Sequence, residues 1–86
     1  MKMIIVIVKD ADAEPVTQAL TASDFRVTRI ASTGGFLRSG VATLLIGVED
    51  GQVDAAIELI RKAIGPASGE KHGTLFVVPV SRFEQV

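Results

Sequence analysis

Met3-Ile4-Ile5-Val6-Ile7-Val8 is an unbroken apolar run of strand length, held between Lys2 and the charged cluster Lys9-Asp10-Ala11-Asp12. Its β-branched residues favour an extended backbone, and the lack of alternation makes both faces of the strand apolar. Leu44 to Ile46 and Leu75 to Val78 repeat the pattern. An antiparallel sheet with one wet face normally alternates apolar and polar residues, so a sheet built from these strands has a second face to bury.

The rest of the chain follows outward from that first strand. Asp12 is a candidate N-cap, and Glu14 and Pro15 suit a first helical turn. Val16, Ala19, Leu20 and Ser23 then share one face, which predicts a first helix over 13–23. Phe25 to Ser32 is rich in β-branched residues and reads as a second strand, broken at Thr33-Gly34-Gly35. Residues 34–40 read as a glycine-rich loop, and Ala42 to Val48 as a third strand. After a turn at Glu49-Asp50-Gly51, one helix face carries Val53, Ala56, Ile57, Ile60 and Ile64. The other carries Asp54, Glu58, Arg61 and Lys62, with Glu58 and Lys62 spaced as an i,i+4 pair. Gly65-Pro66 stops this helix, 67–73 is a polar loop, and Thr74 to Val80 is the fourth strand, with Pro79 near its end or on an edge.

The order βαββαβ predicts a single α+β domain over 1–86, a sandwich with two helices on one face of a four-stranded, mainly antiparallel sheet. About six aliphatic side chains then point away from the helices. At roughly 1.5–3 kcal/mol each, leaving them in water forfeits on the order of 10 kcal/mol per subunit. A homo-oligomer joined through the open sheet face is the expected solution.

Composition narrows the chemistry. The chain has 86 residues, 9 Lys plus Arg against 10 Asp plus Glu, a net charge of −1, and no Cys, Trp or Tyr. Apolar residues make up 48% and mean hydropathy is +0.41, high for so small a domain, which again calls for buried surface between copies. Without cysteine there is no disulfide, thiolate metal site or cysteine nucleophile, and the single His72, in a polar loop, builds no zinc site alone. The near-zero charge argues against nucleic acid as a partner. The N-terminal apolar run is too short for a signal-peptide core or a membrane span, so the expected location is the cytoplasm.

Charge is uneven along the chain. Arg26, Arg29 and Arg38 face only Asp24 in residues 24–43, whereas Glu49, Asp50, Asp54 and Glu58 cluster without a base. The basic stretch is also the glycine-rich one, and converging backbone N–H groups with guanidinium donors suit a phosphate-bearing ligand. Phe36 in that loop is placed to stack on a base or to fill a neighbouring subunit's pocket. Taken alone, a Gly-Gly pair between strands is most simply turn chemistry. Neither a P-loop nor a dinucleotide-binding fingerprint is present, and no nucleophile stands with a base and an orienting group.

These residues carry a family resemblance. Lys2-Met3-Ile4-Ile5, Asp24-Phe25-Arg26-Val27-Thr28, the string Ser32-Thr33-Gly34-Gly35-Phe36-Leu37-Arg38-Ser39-Gly40, and Thr74-Leu75-Phe76-Val77-Val78-Pro79-Val80 followed by Phe83 resemble the cyclic-di-AMP receptor family of PII-like signal proteins. The match runs nearly end to end, and T-G-G-F-L-R-x-G at its offset from F-R-x-T is its most specific part. The resemblance implies a ferredoxin-like subunit in a PII-like homotrimer, with sheets facing inward and a ligand site in each cleft between subunits. Arg26 and Thr28 would then contact phosphate or base, the backbone of Gly35, Phe36 and Leu37 would cradle the ligand beside Arg38, and Gly47 would allow close approach from the third strand.

The chain also departs from the family pattern. Val41 stands where the family usually has an Asn that reads the adenine edge, Asp24 where Asn is frequent, and the connection 65–73 is short. The resulting expectation is a non-enzymatic signal protein that needs no cofactor, binds cyclic di-AMP or a related adenine nucleotide, and presents a changed surface to a downstream protein. The alternative is a trimeric adaptor of the same fold that has lost the ligand. A small acylphosphatase-like hydrolase is the least supported reading, because no Arg follows the first strand where such chemistry needs one.

Overall fold

The computed structural model describes residues 1–30, 40–64 and 73–86. Its order is β1 (Lys2–Lys9), α1 (Asp10–Ala22), β2 (Arg26–Ile30), β3 (Val41–Val48), a 3-10 turn (Asp50–Gln52), α2 (Val53–Ile64) and β4 (Gly73–Pro79). The strands form one sheet in the order β2-β3-β1-β4, and every neighbouring pair is antiparallel. Two βαβ halves are thus interleaved in the ferredoxin-like manner. The most apolar strand, β1, takes a central position, where both of its edges are paired and the helices cover one of its faces.

Alternate residues of the central strands enter the core. Ile4, Val6 and Val8 of β1 and Ala42, Leu44, Ile46 and Val48 of β3 are buried beneath Ala13, Val16 and Leu20 of α1 and Ala56 and Ile60 of α2. The other face carries Met3, Ile5 and Ile7 of β1, aligned with Gly47, Leu45 and Thr43 of β3 and with Val78, Phe76 and Thr74 of β4. Ile5 and Leu45 remain half-buried there, and Phe76 is 51% exposed. Ile30 lies on the same face at the β2 edge, one row along, opposite Thr43. The helices leave this face uncovered, as the unbroken apolar runs require.

The first helix begins earlier than its side-chain signals suggest. Lys9, not Asp12, occupies the N-cap, because the Asp10 N–H donates to the Gly40 carbonyl at 2.9 Å and a tertiary contact replaces a side-chain cap. Asp10 and Asp12 fall in the first turn, where they complement the helix dipole. Pro15 therefore lies inside the helix rather than in its first turn. On α2, Glu58 pairs with Arg61 at 3.0 Å, one residue short of the expected Lys62. Both spacings bring side chains together on a helix surface, and this exposed pair adds little stability.

The exit from α1 sets the start of β2. Asp24 has a left-handed backbone (φ 67°), its N–H donates to the Thr21 carbonyl at 3.1 Å, and the Phe25 N–H reaches back to the Leu20 carbonyl at 3.0 Å. This is a Schellman ending, in which the residue after the left-handed one packs back on the helix. Phe25 accordingly packs against the core beside the fully buried Leu20, and Arg26 begins the strand immediately afterwards.

Gly73, where β4 starts opposite Val8, has no room for a side chain: an added Cβ would stand 2.9 Å from the Ile7 carbonyl oxygen. That obstacle is backbone in a central strand and cannot turn aside. Gly73→Ala is expected to cost about 1–3 kcal/mol in urea unfolding, whereas Gly51→Ala, with nothing near its Cβ position, should stay within about 0.5 kcal/mol of the parent.

Candidate functional site

Arg26 and Thr28 are two residues apart on the edge strand β2 and so project from the same face of the sheet. Register places Arg26 opposite Gly47 and Thr28 opposite Leu45, on the face away from the helices. Arg29 projects to the other side and approaches Asp10 at 3.7 Å. Among the described residues Arg26 has no ion-pair partner, so of these two arginines it is the one available to an anion.

Arg26, Thr28 and Gly47 line one cavity of about 1030 Å³. That is at the upper end of the roughly 300–1,000 Å³ usual for small-molecule sites. Its walls come from parts of the chain far apart in sequence. Asp24 and Phe25 arrive with the α1–β2 turn, Glu49 and Gln52 with the turn before α2, Met1 and Met3 with the start of β1, and Arg82, Phe83 and Gln85 with the segment after β4. A hydrogen bond from the Val80 N–H to the Met1 carbonyl at 3.1 Å holds the start of that last segment against the N-terminus.

Sequence reasoning reached Arg26, Thr28 and Gly47 but did not assign the terminal walls. The register between β1 and β4, which pairs Lys2 with Pro79, is what brings the two ends together. Val41 lies elsewhere. It pairs with Lys9 at the far end of β3, six residues or roughly 20 Å from Gly47 at about 3.4 Å per residue, and does not line the cavity. Gly35, Phe36, Leu37, Arg38 and His72 lie outside the described residues.

The electrostatics are mixed rather than simply basic. Arg26 and Arg82 share the cavity with Asp24 and Glu49, and Arg82 is held by Glu84 at 2.7 Å. Asp24 pairs with neither Arg26 nor Arg29. Apolar surface from Met3, Phe25, Leu45 and Phe83 lies between the charged groups. Such a site offers flat contact to a ring system and charged donors and acceptors around it. Among the described residues no cluster of His, Asp or Glu is arranged to hold a metal ion, and no helix is long and apolar enough to cross a membrane.

These features define a small α+β domain with a mixed-charge cavity at the edge of the apolar sheet face that the helices do not cover. The model of the cyclic-di-AMP receptor family matches residues 1–71, and the chain belongs to that family. The fold is similar to that in the crystal structure of a functionally unknown protein from Pediococcus pentosaceus ATCC 25745, with 34% sequence identity and a TM-score of 0.78. That likeness covers 99% of this chain and 96% of the other.

Asp50, which pairs with the Met1 ammonium, has a lowered pKa. The Met1 ammonium hydrogen-bonds the Asp50 carboxylate at 3.0 Å and holds its pKa below the ordinary value. An acid depressed in the folded state contributes stability above its unfolded pKa, and that contribution is lost as pH falls through the folded value. Acetylating the Met1 amine should therefore raise the Asp50 pKa in a carboxyl-carbon NMR titration. An unchanged pKa would show that the ion pair does not form in solution.

Proposed function

We propose that the protein is a non-enzymatic, PII-like signal receptor that binds cyclic di-AMP or a related adenine nucleotide in clefts between the subunits of a homotrimer. The observation that carries this reading is the meeting of Arg26, Thr28 and Gly47 in one cavity, in a chain of the cyclic-di-AMP receptor family. Arg26 supplies a guanidinium to phosphate, Thr28 a hydroxyl to phosphate or base, and Gly47 a side-chain-free surface for close approach. Gly35, Phe36, Leu37 and Arg38 complete the ligand's surroundings in this reading. Val41, so far along β3 from Gly47, contacts ligand only across a subunit boundary. Being apolar, it packs against a base without reading its edge by hydrogen bonding. Binding alters the surface offered to a downstream protein in the cytoplasm.

The uncovered sheet face supports the assembly. Ile5, Leu45 and Phe76 form a continuous row across β3, β1 and β4, with Ile30, Ile7 and Val78 beside it. Burying such a row between copies removes the exposure penalty, and it places the β2 edge next to a neighbouring chain. Light scattering at micromolar concentration should give the mass of a trimer, and a stable monomer would contradict the assembly.

Nucleotide binding is tested by calorimetric titration with cyclic di-AMP, cyclic di-GMP, ATP, ADP and AMP. Heat with cyclic di-AMP is expected, and Arg26→Ala should weaken it more than tenfold, the equivalent of a charge-assisted contact of about 1.5–3 kcal/mol. No heat with any of the five would favour the trimeric adaptor instead. The Asp24 and Glu49 carboxylates give that second reading its physical basis, because each opposes an anion in the same cavity.

A further inference from the structure

Gly47 lies inside a strand, where glycine weakens the sheet and needs a reason. Backbone conformation does not supply one, since Gly40 is the glycine with positive φ among the described residues. The space left by the missing Cβ is the remaining explanation, and that space is occupied. The terminal methyl of Met1, Cε, stands 3.1 Å from where a Gly47 Cβ would be, and both residues line the cavity that holds Arg26 and Thr28.

The Met1 backbone is tied on both sides of its Cα. Its ammonium pairs with Asp50 at 3.0 Å, and its carbonyl accepts the Val80 N–H at 3.1 Å. The side chain is different. It is 33% exposed, unbranched and rotatable about three bonds, so it can leave the Gly47 surface while the backbone stays anchored. A second methionine, Met3, stands opposite Gly47 in the β1 register and lines the same cavity.

We propose that the Met1 side chain is a displaceable gate of the ligand cavity, filling the Gly47 cradle when no ligand is present and swinging out when a nucleotide lies against that glycine. The proposal rests on the nucleotide-binding reading above and adds a residue that sets affinity by competing with ligand for one surface. The closed position lowers apparent affinity by the fraction of molecules it blocks. Because the Met1 backbone also touches the turn before α2 and the start of the C-terminal segment, the gate stands where both of those walls meet.

Two measurements on the full chain test it. Methyl-labelled methionine gives two resonances, from Met1 and Met3, which a Met3→Leu variant assigns. The free protein should show a nuclear Overhauser contact between the Met1 methyl and the Gly47 α-protons, lost at saturation with cyclic di-AMP. In parallel, Met1→Ala, encoded as Met-Ala-Lys so that the initiator is trimmed and a free amine remains for Asp50, should bind cyclic di-AMP about threefold to tenfold more tightly by calorimetry. Binding by the variant alone would also support the gate. A methyl contact that persists at saturation, or equal or weaker binding by Met1→Ala, overturns the gate and leaves the nucleotide reading standing. Absence of heat from both proteins overturns the two together.

Discussion

Ile4, Val6 and Val8 point toward the helices while Met3, Ile5 and Ile7 point away from them, and this two-sided apolar character of β1 is the constraint on which the rest depends. A strand apolar on both faces is stable only at the centre of a sheet whose two faces are both covered. Two helices cover one face. They are short, and they pack on each other as well as on the sheet, so nothing among the described residues spans the second. The apolar surface that the helices leave on the second face therefore originates in the central strand.

The candidate site lies where that apolar face ends. Toward the β2 edge the row changes from Leu45 to Thr28 and from Gly47 to Arg26, so polar groups border the uncovered surface. The Schellman ending of α1 fixes this edge, because Phe25 must turn inward and Arg26 then starts the strand in a defined direction. Local packing thus sets the sheet face from which Arg26 projects. The carboxylates of Asp24 and Glu49 limit how strongly the cavity attracts any anion, so a ligand must be held by shape and apolar contact as well as by charge.

Element order and the two-faced sheet were legible because each rests on patterns within a few residues. Helix boundaries were less so. Asp12 has the chemistry of an N-cap, yet Gly40, remote in sequence, supplies a carbonyl to Asp10 and starts the helix earlier. Glu58 was expected to pair with Lys62 and pairs with Arg61 instead, since both spacings bring side chains within reach and rotamers decide. For the site, Arg26, Thr28 and Gly47 came from motif resemblance, and the sheet register unites them. Arg82, Phe83 and Gln85 left no local chemical signal that they border the same cavity.

The sequence by itself determined a βαββαβ chain whose strands have more apolar surface than two helices can cover. Periodicity and β-branching act over neighbouring residues, and their consequences can be counted along the chain. The tertiary structure alone decided that Met1, Gly47, Asp24 and the residues after β4 would meet around one cavity. That meeting depends on antiparallel register, and a shift of one residue would send each side chain to the opposite face. Only the assembled sheet, with Lys2 opposite both Val48 and Pro79, shows which ends come together. The apolar excess first visible in Met3 to Val8 thus acquires a location, an uncovered face whose polar border carries the candidate ligand site.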